Sequence, residues 1–258
     1  MSPGPIQSAP PVPQDVSQGE TIPSAGDRCV SVEEGYRRWA PSYDRDLNPL
    51  LALEERQLKS MLPSLAGKRV LDLACGTGRW LAWVLAEGAR SGAGVDISWA
   101  MLAGAREKAR LQTRLVRADC CNIPFAAGTF DLVISSFALS HLSDLESAVR
   151  EVARVAAPGA AVYVSDLHPQ AYARGWRTGF RDSRGGAEIM SWDRSIEELL
   201  AAWNSAGFVC VELAEFRLGE PEKLILALAG KANLFAEARQ DPAVLAFHFQ
   251  KLAGPQSK

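Results

Sequence analysis

The chain has 258 residues, of which 47% are hydrophobic and 22% charged, and its formal net charge is -2 at pH 7. A chain of this length can bury one α/β core with a modest cap, so we expect a single catalytic domain. Its Lys and Arg residues form no run longer than a pair, which leaves no electrostatic footprint for nucleic acid or anionic lipid. We therefore predict a small-molecule or protein substrate and no nucleic-acid partner.

The cysteine and hydrophobic patterns exclude further classes of protein. The five cysteines are odd in number, two are adjacent, and the three histidines lie far from any paired spacing, so we predict neither a disulfide framework nor a metal site. No signal-peptide pattern is present, and no stretch approaches the roughly 18 apolar residues that span a bilayer. We expect a cytoplasmic protein without membrane insertion; the sequence leaves its oligomeric state open.

The N-terminal quarter divides into two parts. Residues 1–27 are rich in Pro, Ser, Gln and Gly with few large apolar side chains, which predicts a disordered tail. Residues 28–66 have helical apolar spacing interrupted by prolines. This spacing predicts two helices, around residues 36–39 and 50–62.

Beyond Gly67, short β-branched runs alternate with longer helical stretches. Such alternation predicts right-handed βαβ crossovers and a parallel sheet covered on both faces. The predicted strands cover residues 69–74, 91–97, 113–117, 130–136 and 160–167, and the predicted helices cover residues 80–87, 101–110 and 145–155.

The C-terminal half is predicted to contain an irregular stretch, a helix and two strands, over residues 168–192, 195–206, 208–216 and 222–229. Because only a short turn separates the last two strands, we predict that they pair as an antiparallel hairpin. The expected catalytic domain thus covers residues 67–230, with a substrate segment at 168–194 and a C-terminal helical extension at 231–258.

A buried strand, a Gly-x-Gly turn and a helix follow one another over residues 70–80. Gly76 and Gly78 would let the backbone approach a ligand where a Cβ atom would collide. A tight turn without a ligand is the simpler alternative. A dinucleotide site fits less well, because it needs a third glycine where this chain has Leu81. Asp72 would also repel a pyrophosphate, whereas the ammonium group of an amino acid would be attracted to it.

Acidic residues end the next two strands as well. The carboxylate of Asp96 can accept both ribose hydroxyls of a nucleoside, although such a residue can also merely cap the next helix. Asp119 can accept from an adenine amino group while the amide of Cys120 serves the ring nitrogen. Ile97 and Met101 would supply apolar walls. Acidic residues at three successive strand ends therefore indicate a nucleoside-containing ligand.

The segment from about Tyr36 to Leu167 resembles the class I S-adenosyl-L-methionine (SAM)-dependent methyltransferases, nearest the group of ubiquinone- and menaquinone-type enzymes. The matching pieces are Asp72–Gly78, Val95–Ser98, Ala118–Asp119 and Phe130–Ser136. The resemblance implies a Rossmann-like seven-stranded sheet of order 3-2-1-4-5-7-6 with strand 7 antiparallel, helices on both faces and an N-terminal helical lid. It also implies SAM as cofactor and S-adenosyl-L-homocysteine as product.

On this resemblance, the function is methyl transfer to a small molecule, with an oxygen acceptor preferred to nitrogen or carbon. The cofactor-binding candidates are Tyr36, Asp72, Ala74, Gly76, Gly78, Asp96, Ile97, Met101, Asp119, Cys120 and Ser136. His141, just past strand four, is the candidate general base, and His168 at the end of strand five is its competitor. His141 could instead cap or pack at the start of the next helix. A SAM-binding enzyme with other chemistry, or a non-catalytic binding module, are the alternative functions.

Overall fold

The computed structural model describes residues 29–252, so the tail predicted over residues 1–27 lies outside the described residues. The strands are β1 (Cys29–Val30), β2 (Arg69–Leu73), β3 (Ser91–Asp96), β4 (Leu115–Arg117), β5 (Phe130–Ser136), β6 (Ala156–Leu167), β7 (Gly179–Asp182), β8 (Gly185–Ile189), β9 (Phe208–Phe216) and β10 (Val244–Lys251). The helices are α1 (Val32–Trp39), α2 (Pro49–Met61), α3 (Arg79–Ala86), α4 (Trp99–Arg106), α5 (Leu145–Val155), α6 (Pro169–Ala173), α7 (Ile196–Ser205), α8 (Glu220–Leu228) and α9 (Phe235–Ala238). Short 3₁₀ helices cover Leu139–His141 and Ala232–Leu234.

Seven strands form the main sheet, in the spatial order β4-β3-β2-β5-β6-β10-β9. Strands β2 to β6 pair in parallel, and β10 runs antiparallel to both β6 and β9. Counted among themselves along the chain, the seven strands stand in the order 3-2-1-4-5-7-6, and the seventh is the reversed one. The predicted Rossmann-like fold class is confirmed.

The core lies on both faces of this sheet, as alternation along the central strand β5 requires. Leu132 and Ile134 pack in one cluster with Leu81 of α3. Val133, which points to the opposite face, packs with Val149 of α5. All five side chains are at most 1% exposed, and each such burial stabilises the fold by roughly 1.5–3 kcal/mol. Because both faces of the sheet are buried, its central strands are apolar at most successive positions.

The predicted C-terminal hairpin is wrong in its second strand. Residues 222–229 lie mainly in helix α8, because Pro221 occupies its first turn and the Glu222 side chain accepts from Gly219 N–H at 2.8 Å. The partner of β9 is instead β10, so the described part of the predicted helical extension, residues 231–252, ends in a strand. The sequence of β10 contains two Phe and one Val but no glycine or proline, which favours a strand, and this strand lies between β6 and β9.

The region after β6, predicted to be irregular, contains α6, β7 and β8, and these two strands form a second, three-stranded sheet with β1 in the order β1-β8-β7. Helix α1 packs closely on this small sheet: a Cβ atom added at Gly35 would stand 2.7 Å from Ile189 Cγ1. The rings of Trp39 and Phe180 are stacked with centroids 5.9 Å apart. Helix α1 and the small sheet therefore form one cap, held together by an aromatic cluster.

Candidate active site

The carboxyl ends of the parallel strands meet at one edge of the sheet, where open α/β folds hold their ligands. A cavity of about 300 Å³ lies at this edge, between the strand ends and the cap. Ten of the thirteen predicted site residues line it: Tyr36, Ala74, Gly76, Asp96, Ile97, Met101, Asp119, Cys120, Ser136 and His141. Asp72, Gly78 and His168 do not belong to this lining.

Asp96 joins the end of β3 to the glycine turn. Its Oδ2 accepts a hydrogen bond from Gly76 N–H, and its Oδ1 accepts one from Ser98 N–H, both at 2.7 Å. Burial raises the pKa of this carboxyl, whereas the two bonds oppose that rise. Each carboxylate oxygen keeps a second lone pair, so Asp96 can still accept from the hydroxyls of a ligand in the cavity.

The backbone of the glycine turn is shaped for close approach. Ala74 and Gly76 both adopt left-handed conformations, with φ of 55° and 54°. A Cβ atom added at Gly76 would stand 3.2 Å from Met101 Cε, the apolar wall of the cavity. A side chain at this position would therefore both strain the turn and narrow the cavity.

Gly78 and Asp72 stabilise the packing around the glycine turn and do not line the cavity. A Cβ atom at Gly78, where φ is 74°, would stand only 2.4 Å from Leu111 Cδ1, so this glycine permits packing between α3 and the segment after α4. Asp72 Oδ2 accepts from Leu81 N–H at 2.8 Å, which ties β2 to the first turn of α3. Burial raises the pKa of Asp72 to about 7. The expected direct contacts of these two residues with a ligand are not supported by their positions.

The residues after β4 form a further wall of the cavity. Asp119 Oδ1 accepts from Cys121 N–H at 2.8 Å, which holds the carboxylate at the strand end. Burial raises the pKa of the Cys120 thiol to about 12, so this side chain stays neutral and packs as an apolar group. The wall thus combines one acceptor carboxylate with a nonpolar surface.

The two ring nitrogens of His141 differ: Nδ1 forms a hydrogen bond, whereas Nε2 has no partner among the described residues. Its Nδ1 lies 2.8 Å from the carbonyl oxygen of Met190, which can only accept, so Nδ1 carries the proton. Nε2 then holds a lone pair and, within residues 29–252, is buried without a hydrogen-bond partner. Burial lowers the pKa of the imidazole below its usual 6.5, although the nearby Asp166 opposes this shift. At neutral pH the ring is uncharged and can take a proton from a bound molecule.

His168, the competing candidate, lies elsewhere. Its Nδ1 accepts from Gln170 N–H at 3.1 Å and so caps α6, while its Nε2 donates to Glu215 Oε1 at 2.7 Å. The side chain is 2% exposed. Because both ring nitrogens are engaged outside the cavity, the position of His168 fits a structural role.

A buried ion pair supports the strand end that carries Ser136. Arg79 donates to Ser136 Oγ at 3.1 Å and to Glu54 Oε2 at 2.8 Å. Glu54 is fully buried and also accepts from Trp80 Nε1 at 3.1 Å and from Ser165 Oγ at 2.8 Å. Removing one member of such a network leaves a buried charge unpaired. Sequence reasoning missed Glu54, whose helix carries no motif.

Beyond the N-terminal segment, two aromatic residues of the lining, Phe137 and Trp192, were also missed as site candidates. Phe137, directly after β5, has a left-handed φ of 50°, a strained conformation that clusters at functional sites. Trp192 reaches the cavity from the segment after β8, where its backbone N–H donates to the Ser140 carbonyl at 2.7 Å. The position of Phe137 after a strand was a usable signal, whereas Trp192 arrives only through tertiary packing.

The charged residues that line the cavity, within the described part of the chain, are all acidic: Glu33, Asp96, Asp119 and Asp144. A low-dielectric cleft lined by one sign of charge attracts ligands of the opposite sign. The cavity therefore favours a cationic ligand over an anionic one. No cluster of three His, Cys, Asp or Glu side chains within residues 29–252 could hold a metal ion, and no helix there is long and apolar enough to cross a membrane.

Comparison with known proteins agrees with this architecture. Residues 70–159 match the family model described as a methyltransferase domain. Demethylmenaquinone methyltransferase of Thermus thermophilus is 39% identical over 140 residues, which are 50% of this chain and 63% of that protein. 2-Phytyl-1,4-naphtoquinone methyltransferase of Nostoc punctiforme is 34% identical over 152 residues, 53% of this chain and 64% of that protein. The chain thus covers less than two thirds of the length of both relatives.

Among solved structures, a SAM-dependent methyltransferase from Mesorhizobium loti superposes with a TM-score of 0.62 at 25% identity. The alignment covers 77% of this chain and 98% of that one. Sheet order, cavity position and domain match together define the class of the domain: residues 70–159 are a methyltransferase domain on the fold of a solved SAM-dependent methyltransferase. The cofactor of this class is S-adenosyl-L-methionine.

Proposed function

We propose that the protein transfers the methyl group of SAM to a small, uncharged acceptor that carries a hydroxyl group. The observation that carries the proposal is the open Nε2 of His141, a buried proton acceptor in the same cavity as Asp96 and Asp119. One part of the cavity, with Asp96 and Asp119, would bind a nucleoside, and another part, with His141, would accept the proton of an acceptor hydroxyl.

The residues present fit the cofactor. Asp96 and Asp119 would hold its nucleoside, Gly76 leaves room for close approach, and the acidic lining complements its positive charge. When bound, SAM supplies a methyl group activated by a sulfonium centre.

The chain's own contribution is positioning, proton removal and the exclusion of water. His141 Nε2 would accept the hydroxyl proton of the acceptor, a step that typically contributes 10²- to 10⁴-fold to the rate. The ring edge of His141 meets Tyr36, with centroids 5.5 Å apart and an angle of 89° between the rings. Tyr36, Phe137 and Trp192 surround this region with aromatic surface, which keeps the reacting groups dry and fixed.

Both charge and shape bear on the acceptor. No Lys or Arg side chain belongs to the described lining, so a carboxylate or phosphate on the acceptor would be buried without a counter-charge. The aromatic walls favour a flat, apolar body. The names of the Thermus and Nostoc relatives point to quinone-type substrates for those proteins. We propose a hydroxylated aromatic compound of similar character here, with methylation on oxygen.

We also propose a cytoplasmic location. All five cysteines are unpaired thiols, and Cys75 and Cys120 are buried. Unpaired thiols are the usual state in a reducing compartment.

Incubation with methyl-labelled SAM and a panel of hydroxylated aromatic compounds tests the proposal. We expect labelled product and an equal amount of S-adenosyl-L-homocysteine, both lost in His141→Gln. An acceptor that is altered while SAM is recovered intact would instead show other chemistry on the same fold. SAM binding with no change to any acceptor in a metabolite extract would favour a non-catalytic module.

A further inference from the structure

The turn that carries His141 is fixed by residues from two other parts of the chain. Asp166, near the end of β6, accepts from Ser140 N–H at 2.7 Å and from Ser140 Oγ at 3.0 Å. Arg194, just before α7, donates to the carbonyl oxygens of Leu139 and Leu142, on either side of the histidine. With the bond from Nδ1 to the Met190 carbonyl, these contacts leave the imidazole little freedom to turn.

Asp166 has the bonding pattern of an ionised carboxylate. It is 6% exposed and accepts three hydrogen bonds, two from Ser140 and one from Leu167 N–H at 2.7 Å. Donors surround it, so the ionised form is the one that its neighbours satisfy. Burial opposes this and raises the pKa of Asp166, whereas a positive charge on His141 would act to lower it.

The other titratable groups near the pair do not replace this charge. Tyr172 from α6 is buried and Tyr36 from α1 is partly buried, and burial raises the pKa of each phenol, so both are neutral. The guanidinium of Arg194 also lies close enough to interact with Asp166. Asp166 is the carboxylate whose charge acts on an imidazolium at His141, and its loss would leave the neighbouring Arg194 cation without that counter-charge.

We propose that Asp166 is the positioning residue of the proton-transfer step: it holds the His141 turn and stabilises the imidazolium that forms there. In this step Nε2 gains the hydroxyl proton and the ring gains one positive charge, while the acceptor oxygen keeps the electron pair. Asp166 contacts neither acceptor nor cofactor in this arrangement and acts through Ser140 and His141. The inference rests on the proposed function, since it assigns a role within the same site.

A histidine NMR titration of the free protein tests the inference without any acceptor. The chain has only three histidines, so His141 can be assigned by comparison with His141→Gln. In Asp166→Asn we expect the pKa of His141 to fall by about one unit or more, because the nearby negative charge is lost. His248, in β10, is the internal control, and its pKa should stay unchanged. A His141 pKa that stays in place, or that moves only together with that of His248, would overturn the proposal.

Because Asp166→Asn alters a group with three hydrogen bonds, the variant can fail to fold. A second measurement therefore uses the wild-type protein. The side-chain carboxyl carbon of Asp166 should have the chemical shift of an ionised carboxylate at pH 7 and should respond as His141 titrates. The shift of a protonated acid at pH 7 would overturn the proposal equally. If the pKa of His141 falls as expected in Asp166→Asn while no acceptor is methylated, only the proposed function is refuted. If an acceptor is methylated while the pKa of His141 is unchanged in Asp166→Asn, only the role of Asp166 is refuted.

Discussion

Asp44 and Thr77 are joined by a hydrogen bond of 2.6 Å, in which Thr77 Oγ1 donates to Asp44 Oδ1. Asp44 Oδ2 also pairs with Lys108 Nζ at 2.9 Å, and the same ammonium donates to the Thr77 carbonyl at 2.7 Å. Because Thr77 lies between the two glycines of the turn, these contacts fasten the segment after α1 to the region where we propose that the cofactor binds.

We expect Asp44→Asn to speed the release of S-adenosyl-L-homocysteine by about three- to tenfold, since this variant weakens charge-assisted bonds that are partly exposed and therefore screened. Stopped-flow displacement measures this rate. Glu220→Gln removes an exposed ion pair with Lys223 in α8 and should leave the rate unchanged. Equal rates in Asp44→Asn and wild type would mean that this link does not retain the ligand.

Asp96→Asn should weaken the binding of labelled SAM by about 1.5–3 kcal/mol, roughly 10- to 150-fold, because a charged acceptor of the ribose hydroxyls is lost. Equilibrium dialysis gives the affinity. Asp72→Asn is the matched control: Asp72 is also buried at a strand end but does not line the cavity, so its loss should reduce stability more than affinity. If Asp72→Asn weakened SAM binding more than Asp96→Asn does, the ligand contact would belong to Asp72 instead.

His141→Gln should lower kcat by about 10²- to 10⁴-fold with little change in SAM affinity. His168→Asn retains a helix cap and loses the bond to Glu215, so it should lower the melting temperature while the folded enzyme keeps its rate. Steady-state kinetics with calorimetric melting separates the two effects. Loss of turnover in His168→Asn with an active His141→Gln would exchange their roles.

The wild-type rate should depend on pH in one direction. A base acts only when neutral, and burial lowers the pKa of His141 below 6.5. The rate should therefore be level near neutral pH and fall as the pH drops through a value below 6.5. A pH–rate profile for kcat measures it, and a rate that rises toward acid pH would be incompatible with a neutral base.

Gly78→Ala and Gly88→Ala separate two costs of adding a methyl group. Both residues have positive φ, 74° and 88°, but only Gly78 faces a neighbour, Leu111 Cδ1 at 2.4 Å from the added Cβ, whereas no atom lies within 4 Å at Gly88. Gly88→Ala should lower the free energy of unfolding by about 1 kcal/mol through strain alone, and Gly78→Ala by about 1–3 kcal/mol more. Urea denaturation measures both, and equal losses would show that Leu111 moves aside freely.

Local pattern was sufficient to predict the parallel half of the fold. The strand over Phe130–Ser136 and the helix over Leu145–Val155 are found at their predicted bounds, since the first is a short, mainly apolar run and the second buries residues spaced three or four apart. The strand β10 was missed because its partners are far away in sequence. Residues 222–229 were assigned to a strand because their apolar content outweighed the Pro and Glu that start a helix.

The candidate site, like the fold, was predictable from the sequence only in part. Asp96 and Gly76 follow strands and could be placed at the sheet edge from sequence order alone. The distinction between His141 and His168 could not, because it depends on which ring nitrogens find partners. Those partners, Met190 and Glu215, lie 49 and 47 residues away along the chain.

Calorimetric titration of the wild-type protein with S-adenosyl-L-homocysteine, alongside a nicotinamide dinucleotide, tests the central claim most directly. We predict saturable binding of S-adenosyl-L-homocysteine with a micromolar-range Kd, about 8 kcal/mol of binding free energy at 1 μM, and no binding of the dinucleotide. Saturable binding of the dinucleotide with no heat from S-adenosyl-L-homocysteine would contradict the assignment of this cavity to SAM.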